Sequence, residues 1–269
     1  MIMSDLTSQE KEKLFQLFTE TSTISQKKFR EDKLSHINPV VNFSDTDFLE
    51  KYVRNEPWVP FTNHGIELMT TPFSYHIDDT RYLYQTNLYC DLLRGALLRH
   101  DSNLLDVGCG LGRGVEVIKR YYGVNVDGYD INETFINYAK EKFPGNNYST
   151  SVDYSKYDTL VFANSLHVVW SSGLLHILKD KTLLITDFFT PDSLQDFTNL
   201  IKKNNWKVEI QEDQTRQVMY GITKDLDTIQ KRFPGVSKTA IAAYKHIQKN
   251  RLHQFEIGHN KQYKYHIVC

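Results

Sequence analysis

The sequence predicts an α/β fold built on a mostly parallel sheet covered on both faces. Three observations carry that reading. Short apolar runs alternate with helix-spaced segments from residue 103 to the end of the chain. The first of these runs, NLLDVGCGLGRGVEVI (103–118), ends in an acid and breaks into four glycines before a helical pattern resumes at Val115. The first 100 residues have a different character, helical at both ends and rich in proline and aromatics between.

The elements follow in order. Residues 4–35 read as helix, because Leu6, Leu14, Leu17 and Phe18 recur at helical spacing among Glu and Lys. Residues 36–80 carry Pro39, Pro57, Pro60 and Pro72 and read as a folded aromatic loop region. A second helix is expected from Arg81 to His100, on Leu83, Leu88, Leu92, Leu93 and Leu97. Then come strand 104–108, helix 115–121, strand 124–130, helix 133–142, strand 158–164, a helix near 173–178 and strand 182–189. Helix 193–204, strand 206–213, a mostly helical segment 225–250 and the strand QYKYHIVC (262–269) complete the chain. The domain division expected is a helical cap or substrate lid over 1–100 and a ligand-binding domain over 101–269, with a helical insertion at about 214–255.

Composition narrows the function classes. Lys+Arg 32 against Asp+Glu 33 leaves a net charge of -1, so no overall field favours nucleic acid or an anionic membrane. Three cysteines, Cys90, Cys109 and Cys269, show neither a pairing pattern nor metal-ligand spacing, which reads as isolated thiols in a reducing compartment and no metal site. The first residues, MIMSDLTSQEKEKL, are polar and charged, unlike a signal peptide, and no apolar stretch approaches the roughly 20 residues that span a bilayer. A cytoplasmic protein is expected.

The glycine loop carries the chemistry. In such sheets ligands bind beyond the carboxyl ends of the strands. Gly108, Gly110, Gly112 and Gly114 stand at the first of these ends, where glycine lets a ligand approach the backbone. A dinucleotide site wants G-x-G-x-x-G, with the helix dipole facing a pyrophosphate. This chain has D-x-G-x-G-x-G, and Asp106 before the loop would repel a phosphate while attracting an ammonium group. A ligand with an amine and a nucleoside but no phosphate fits, and S-adenosylmethionine has that inventory. The second strand ends in Asp130, 24 positions after Asp106, where a carboxylate can accept both ribose hydroxyls. The alternative for Asp130 is a plain cap for the helix that DINETF opens.

Asp-Val-Gly-Cys-Gly followed by a strand ending in Gly-Tyr-Asp-Ile resembles the class I S-adenosylmethionine-dependent methyltransferases, over about residues 103–189. The resemblance implies a Rossmann-like seven-stranded, mostly parallel sheet with an antiparallel last strand, and QYKYHIVC suits that closing edge. It gives Asp106, Gly108, Gly110 and Asp130 the cofactor roles, with Cys109, Gly112, Ile131 and Asn164 beside them. The acid that meets the adenine amine in such enzymes follows the third strand on a longer loop. Here the loop is short, and Asp153 is the only candidate.

The flanks FTNHGIEL (61–68), TRYLYQTNLY (80–89) and NSLHVV (164–169) resemble a subgroup acting on small lipophilic molecules, such as the phthiotriol and phenolphthiotriol O-methyltransferases and relatives acting on polyketides. His64 interrupts the first motif and Thr86–Asn87 insert into the second. An alcohol or phenol loses a proton during transfer, which a neutral histidine accepts near pH 7. His167, just past the fourth strand, is the candidate base, with Asp187 either orienting it or capping a turn. His64, His76 and Tyr82 are candidate pocket residues among aromatics that include Trp58, Phe61, Phe73, Tyr75 and Tyr84. Three rivals stand beside this reading: N- or C-methylation of a peptide or other small molecule, a cyclase or binding protein on the same fold without methyl transfer, and a nicotinamide oxidoreductase. The glycine spacing and Asp106 disfavour the last.

Overall fold

The structure, a computed structural model, describes residues 83–166, 178–235 and 238–269. Its elements are α1 (Leu83–Leu93), β1 (Asn103–Val107), α2 (Arg113–Tyr122), β2 (Asn125–Tyr129), α3 (Glu133–Lys142), β3 (Asn147–Ser149) and β4 (Thr159–Ala163). After these come β5 (Thr182–Phe189), α4 (Pro191–Lys203), β6 (Lys207–Asp213), α5 (Thr215–Arg232), α6 (Lys238–Glu256) and β7 (Lys261–Val268). The strands form one sheet in the order β3-β2-β1-β4-β5-β7-β6. Strands β1 to β5 pair in parallel, and β7 runs antiparallel to both β5 and β6. This is the expected Rossmann-like sheet.

One expectation is corrected. QYKYHIVC is not the edge: β7 lies between β5 and β6, and β6 closes the sheet. Burial explains the swap. β7 is buried on both faces at Lys264, Tyr265, His266 and Ile267, whereas β6 (KVEIQED) has no fully buried residue and carries the charged side chains an edge tolerates.

The other boundaries shift for local reasons. The helix expected to reach His100 stops at Leu93, where the Arg94 N–H bonds back to Cys90 and Asp91 and Gly95 turns away at φ 86°. The helical segment expected over 225–250 resolves into α5 and α6.

Strand alternation sorts the core into two layers. On one face Leu104, Val126, Val161 and Leu184 pack with Leu88 and Leu92 of α1, Val115 and Ile118 of α2, and Val218 and Ile222 of α5. On the other, Leu105, Val107, Phe162, Ile185 and Ile267 pack with Phe197 of α4. Asp106 therefore shares a face with Leu104 and looks toward α1. That helix is buried from Tyr84 to Leu93, polar side chains included. Among the described residues no helix is long and apolar enough to cross a membrane.

Candidate functional site

The glycine loop leaves β1 through three residues with positive φ, Gly108 at 75°, Gly110 at 53° and Gly112 at 80°. The loop is pinned to the next strand: Gly108 and Cys109 both donate their N–H to the Tyr129 carbonyl, at 2.7 and 2.9 Å. At Gly112 a side chain has no room, since a Cβ would come 2.6 Å from Ala139 Cβ and 2.8 Å from the Tyr148 ring. The Tyr148 hydroxyl donates to the Gly112 carbonyl at 2.8 Å, so the ring locks the turn into α2.

Asp106 is 1% exposed. Its Oδ2 accepts from the Tyr89 hydroxyl at 3.3 Å, while Oδ1 is buried with no partner among the described residues. Burial pushes its carboxyl up to about 7, the Tyr89 bond opposes that rise, and the Asp130 charge adds to it. A buried carboxylate oxygen without a donor, beside a loop that a ligand can approach closely, fits an ammonium group.

Asp130 follows β2. Its Oδ2 accepts from the Gly110 N–H and its Oδ1 from the Asn132 N–H, both at 2.9 Å. It is thus part of the loop's architecture and retains lone pairs for two hydroxyls. The cap of α3 is not Asp130 but Asn132, whose side chain accepts from Thr134 and Phe135. Burial holds the Asp130 carboxyl above its ordinary range, against the pull of the two N–H donors. Ile131 beside it is 75% exposed, an apolar surface of the kind a base covers.

The remaining candidates divide. Cys109 is buried, its thiol pushed up by burial, with Sγ under Gly128, so it serves through backbone and packing. Asp153 caps the short 3₁₀ turn Tyr154–Lys156, with Oδ1 accepting from the Ser155 N–H at 3.1 Å and its hydroxyl at 2.6 Å. Asn164 follows β4 at φ 57°, its N–H bonded to the Thr186 carbonyl at 2.8 Å and its Oδ1 to Gln262 Nε2 at 3.0 Å. Asp187 is fully buried and caps the Phe188 N–H at 2.8 Å. His64, His76, Tyr82 and His167, with Trp58, Phe61, Phe73 and Tyr75, lie outside the described residues, as does the helix expected near 173–178 except for its last residue, Leu178.

One residue that the sequence did not single out, Tyr89, belongs to the site, and Gly114, already placed at the loop, has a different part in it from the one expected. Tyr89 supplies the hydrogen bond to Asp106. Gly114 makes room for it, because a Cβ there would come 2.2 Å from the Tyr89 ring.

Residues 104–188 match a family model described as a methyltransferase domain. The chain is 28% identical over 189 residues to a phosphoethanolamine N-methyltransferase of Plasmodium falciparum (isolate 3D7), which covers 63% of this chain and 62% of that protein. It spans less than two thirds of the length of the curated relatives it matches. Among solved structures, it is similar to Haemonchus contortus phosphoethanolamine N-methyltransferase 2 in complex with phosphomonomethylethanolamine and S-adenosylhomocysteine. That likeness has a TM-score of 0.59 and 15% identity over 86% of this chain and 60% of that one. The cyclopropane synthase MmaA2 of Mycobacterium tuberculosis matches with a TM-score of 0.56 and 12% identity, over 87% of this chain and all of that one (100%). These identities establish the fold, that of Rossmann-like methyltransferases. Domain match and site chemistry agree on S-adenosylmethionine as the cofactor.

Proposed function

We propose that the protein transfers a methyl group from S-adenosylmethionine to a small lipophilic acceptor, at a hydroxyl oxygen. The observation that carries the cofactor end of this reading is the Oδ1 of buried Asp106, without a partner among the described residues, beside the glycine loop, with Asp130 tied across the loop to Gly110. Asp106 receives the ammonium group, Asp130 the ribose hydroxyls, and Ile131 the base. When bound, the cofactor supplies a methyl group already activated by its sulfonium, so the protein's main task is to align the nucleophile. His167 takes the proton that an alcohol or phenol releases.

A second reading rests on four of the curated relatives, which are named phosphoethanolamine N-methyltransferases: here the acceptor is a small phosphorylated amine. An amine that reaches the site unprotonated needs no oxygen-directed base.

Two measurements test these readings. Calorimetry should give micromolar binding of S-adenosylmethionine and S-adenosylhomocysteine and none of NAD. Gly110→Val should abolish it, since valine is strained at φ 53° and crowds the ligand's approach. Labelled cofactor, offered with lipophilic alcohols and phenols on one side and phosphoethanolamine on the other, then separates O- from N-methylation. A wild-type protein that binds no S-adenosylhomocysteine would refute the cofactor assignment for this chain's own site.

A further inference from the structure

A chain of buried hydrogen bonds runs from Asn164 across the sheet to an ion cluster beneath α1. Lys264 Nζ lies 3.5 Å from Asp91 Oδ2, with the two side chains only 1% and 3% exposed. The Arg94 guanidinium closes on Asp91 Oδ1 at 2.6 Å. Held between two cations, Asp91 can only accept. Gln214 therefore turns its NH2 toward Asp91 Oδ2, which leaves its carbonyl facing Thr186. The Thr186 hydroxyl donates to Gln214 Oε1 at 3.0 Å and, its one proton used, accepts from Gln262 Nε2 at 2.9 Å. That same Gln262 Nε2 donates to Asn164 Oδ1 at 3.0 Å.

Each amide orientation follows from the one before it, so the charge on Asp91 sets the direction of the whole chain. The consequence falls on Asn164. Its Oδ1 is committed inward, and its NH2 is left as a buried donor with no partner among the described residues. Gln262 Oε1 is the matching acceptor at this end, likewise without a partner among the described residues.

The position of Asn164 says what such a donor is for. β4 pairs with β1 through Asp106↔Val161, and the residue after Asn164, Ser165, sits so close to the loop that a Cβ on Gly108 would come 2.7 Å from its Cβ. Asn164 thus follows the strand next to the one that carries Asp106, one residue before this contact with the glycine loop.

We infer that Asn164 donates its side-chain N–H to the carboxylate at the amino-acid end of the cofactor, and that Asp91, Gln214, Thr186 and Gln262 are positioning residues that keep its NH2 turned toward that group. The inference rests on the S-adenosylmethionine reading. Asp106 and Asn164 would then divide the amino-acid end between them, one taking the cation and the other the anion.

The test compares two ligands by calorimetry on the full chain: S-adenosylhomocysteine, and 5′-methylthioadenosine, which keeps the nucleoside and thioether but lacks the amino-acid end. Asn164→Gly keeps the positive φ accessible and removes the donor. Asn164→Asp keeps the shape and puts a negative charge in its place. Both should weaken S-adenosylhomocysteine, by about ten- to a hundredfold for the loss of a charge-assisted hydrogen bond, and Asn164→Asp the more. Both should leave 5′-methylthioadenosine within about twofold. Thr186→Val, which touches no ligand, should cost S-adenosylhomocysteine about three- to tenfold with the same indifference to 5′-methylthioadenosine. Equal losses on both ligands, or unchanged S-adenosylhomocysteine affinity in Asn164→Gly, overturn the inference while leaving the cofactor reading intact. Failure of the wild type to bind either ligand removes the cofactor reading itself.

Discussion

Tyr89 reaches Asp106 across the space that Gly114 leaves empty. Its hydroxyl stands 3.3 Å from Asp106 Oδ2, and a methyl group at position 114 would collide with the ring at 2.2 Å. The contact joins α1 to the helix that starts beneath the loop, so a packing detail sets the state of a charged group. Gly114→Ala illustrates the balance. Alanine is favoured over glycine in a helix by roughly 1 kcal/mol, but forcing a buried aromatic to move costs about 1–3 kcal/mol. The variant should be less stable than wild type by chemical denaturation and should bind S-adenosylhomocysteine more weakly. A variant as tight and as stable as wild type would mean that Tyr89 is not held where the structure has it.

The raised carboxyl of Asp106 gives a pH dependence with a definite sign. Without ligand its carboxyl titrates near 7, and an ammonium partner favours the charged form. Affinity for S-adenosylhomocysteine should therefore fall below pH 7 by up to about tenfold per unit, with proton release on binding. Above about pH 9 it should fall again as the ligand's own amine loses its charge, because the adjacent carboxylate holds a free amino acid's ammonium above the ordinary value of about 7.7–8.0 for a chain terminus. Tyr89→Phe removes a hydrogen bond that favours the carboxylate, so the acid limb should move to higher pH. An unmoved limb would show that another group titrates.

The same shift bears on stability. Asp106 has its folded value above the unfolded 3.8, so between about 3.8 and 7 the folded state holds the extra proton. Its contribution to stability falls as pH rises through that window and stays low above it. Asp106→Asn cannot ionise. The stability difference between the variant and the wild type should therefore move in the variant's favour from pH 4 to pH 7.5, whatever its offset, while cofactor binding is lost. Thermal unfolding across that range checks both the sign and the window.

The parts of this site that the sequence revealed are those that lie close together along the chain. Asp106, Gly108, Gly110 and Gly112 form one turn, and Asp130 ends the next strand, so strand ends and glycine spacing suffice to place them. Tyr89 is joined to Asp106 across 17 positions, Gln262 to Asn164 across 98, and Gln214 to Asp91 across 123. No local pattern announces such pairings. β7 shows how the pattern misleads: Gln262, Lys264 and His266 alternate with Tyr263, Tyr265 and Ile267, which reads as an edge strand with a wet face. The polar row is instead buried beneath α1, where Lys264 and His266 bond to the carbonyls of Asp91, Arg94 and Leu92. Polar side chains were satisfied by a helix end, which hydropathy cannot foresee.

Asp130 has two duties, and one substitution can separate them. Asp130→Ala removes the bonds to the Gly110 and Asn132 N–H groups as well as the two proposed to ribose hydroxyls, each charge-assisted and worth about 1.5–3 kcal/mol. Cofactor affinity should fall by about ten- to a thousandfold. Asp130→Asn keeps an acceptor for the loop and loses one on the ligand side, so it should fall between wild type and alanine. Hydrogen exchange at the Gly110 amide provides the control: it should accelerate in Asp130→Ala. Unchanged affinity in both variants would leave Asp130 with the loop alone.

The last prediction concerns which histidine sets the pH profile of turnover. If an oxygen acceptor is deprotonated by His167, the rate should rise with pH through a group near 6.5, the ordinary histidine value. His266, on β7, does not meet that requirement. It is 2% exposed, its Nε2 sits 2.7 Å from the Leu92 carbonyl, and burial pulls its titration down to about 4. His266 is therefore neutral throughout the working range, with its ring N–H donated to that carbonyl. His266→Gln should lower stability, because a buried hydrogen bond is disturbed, and leave the shape of the pH profile unchanged. His167→Ala should do the reverse: S-adenosylhomocysteine affinity close to wild type, turnover lower by roughly 10²–10⁴-fold, and the step near pH 6.5 gone. If the alanine variant keeps most of its rate, alignment suffices without a base, as it would for an unprotonated amine, and the second reading of the substrate displaces the first.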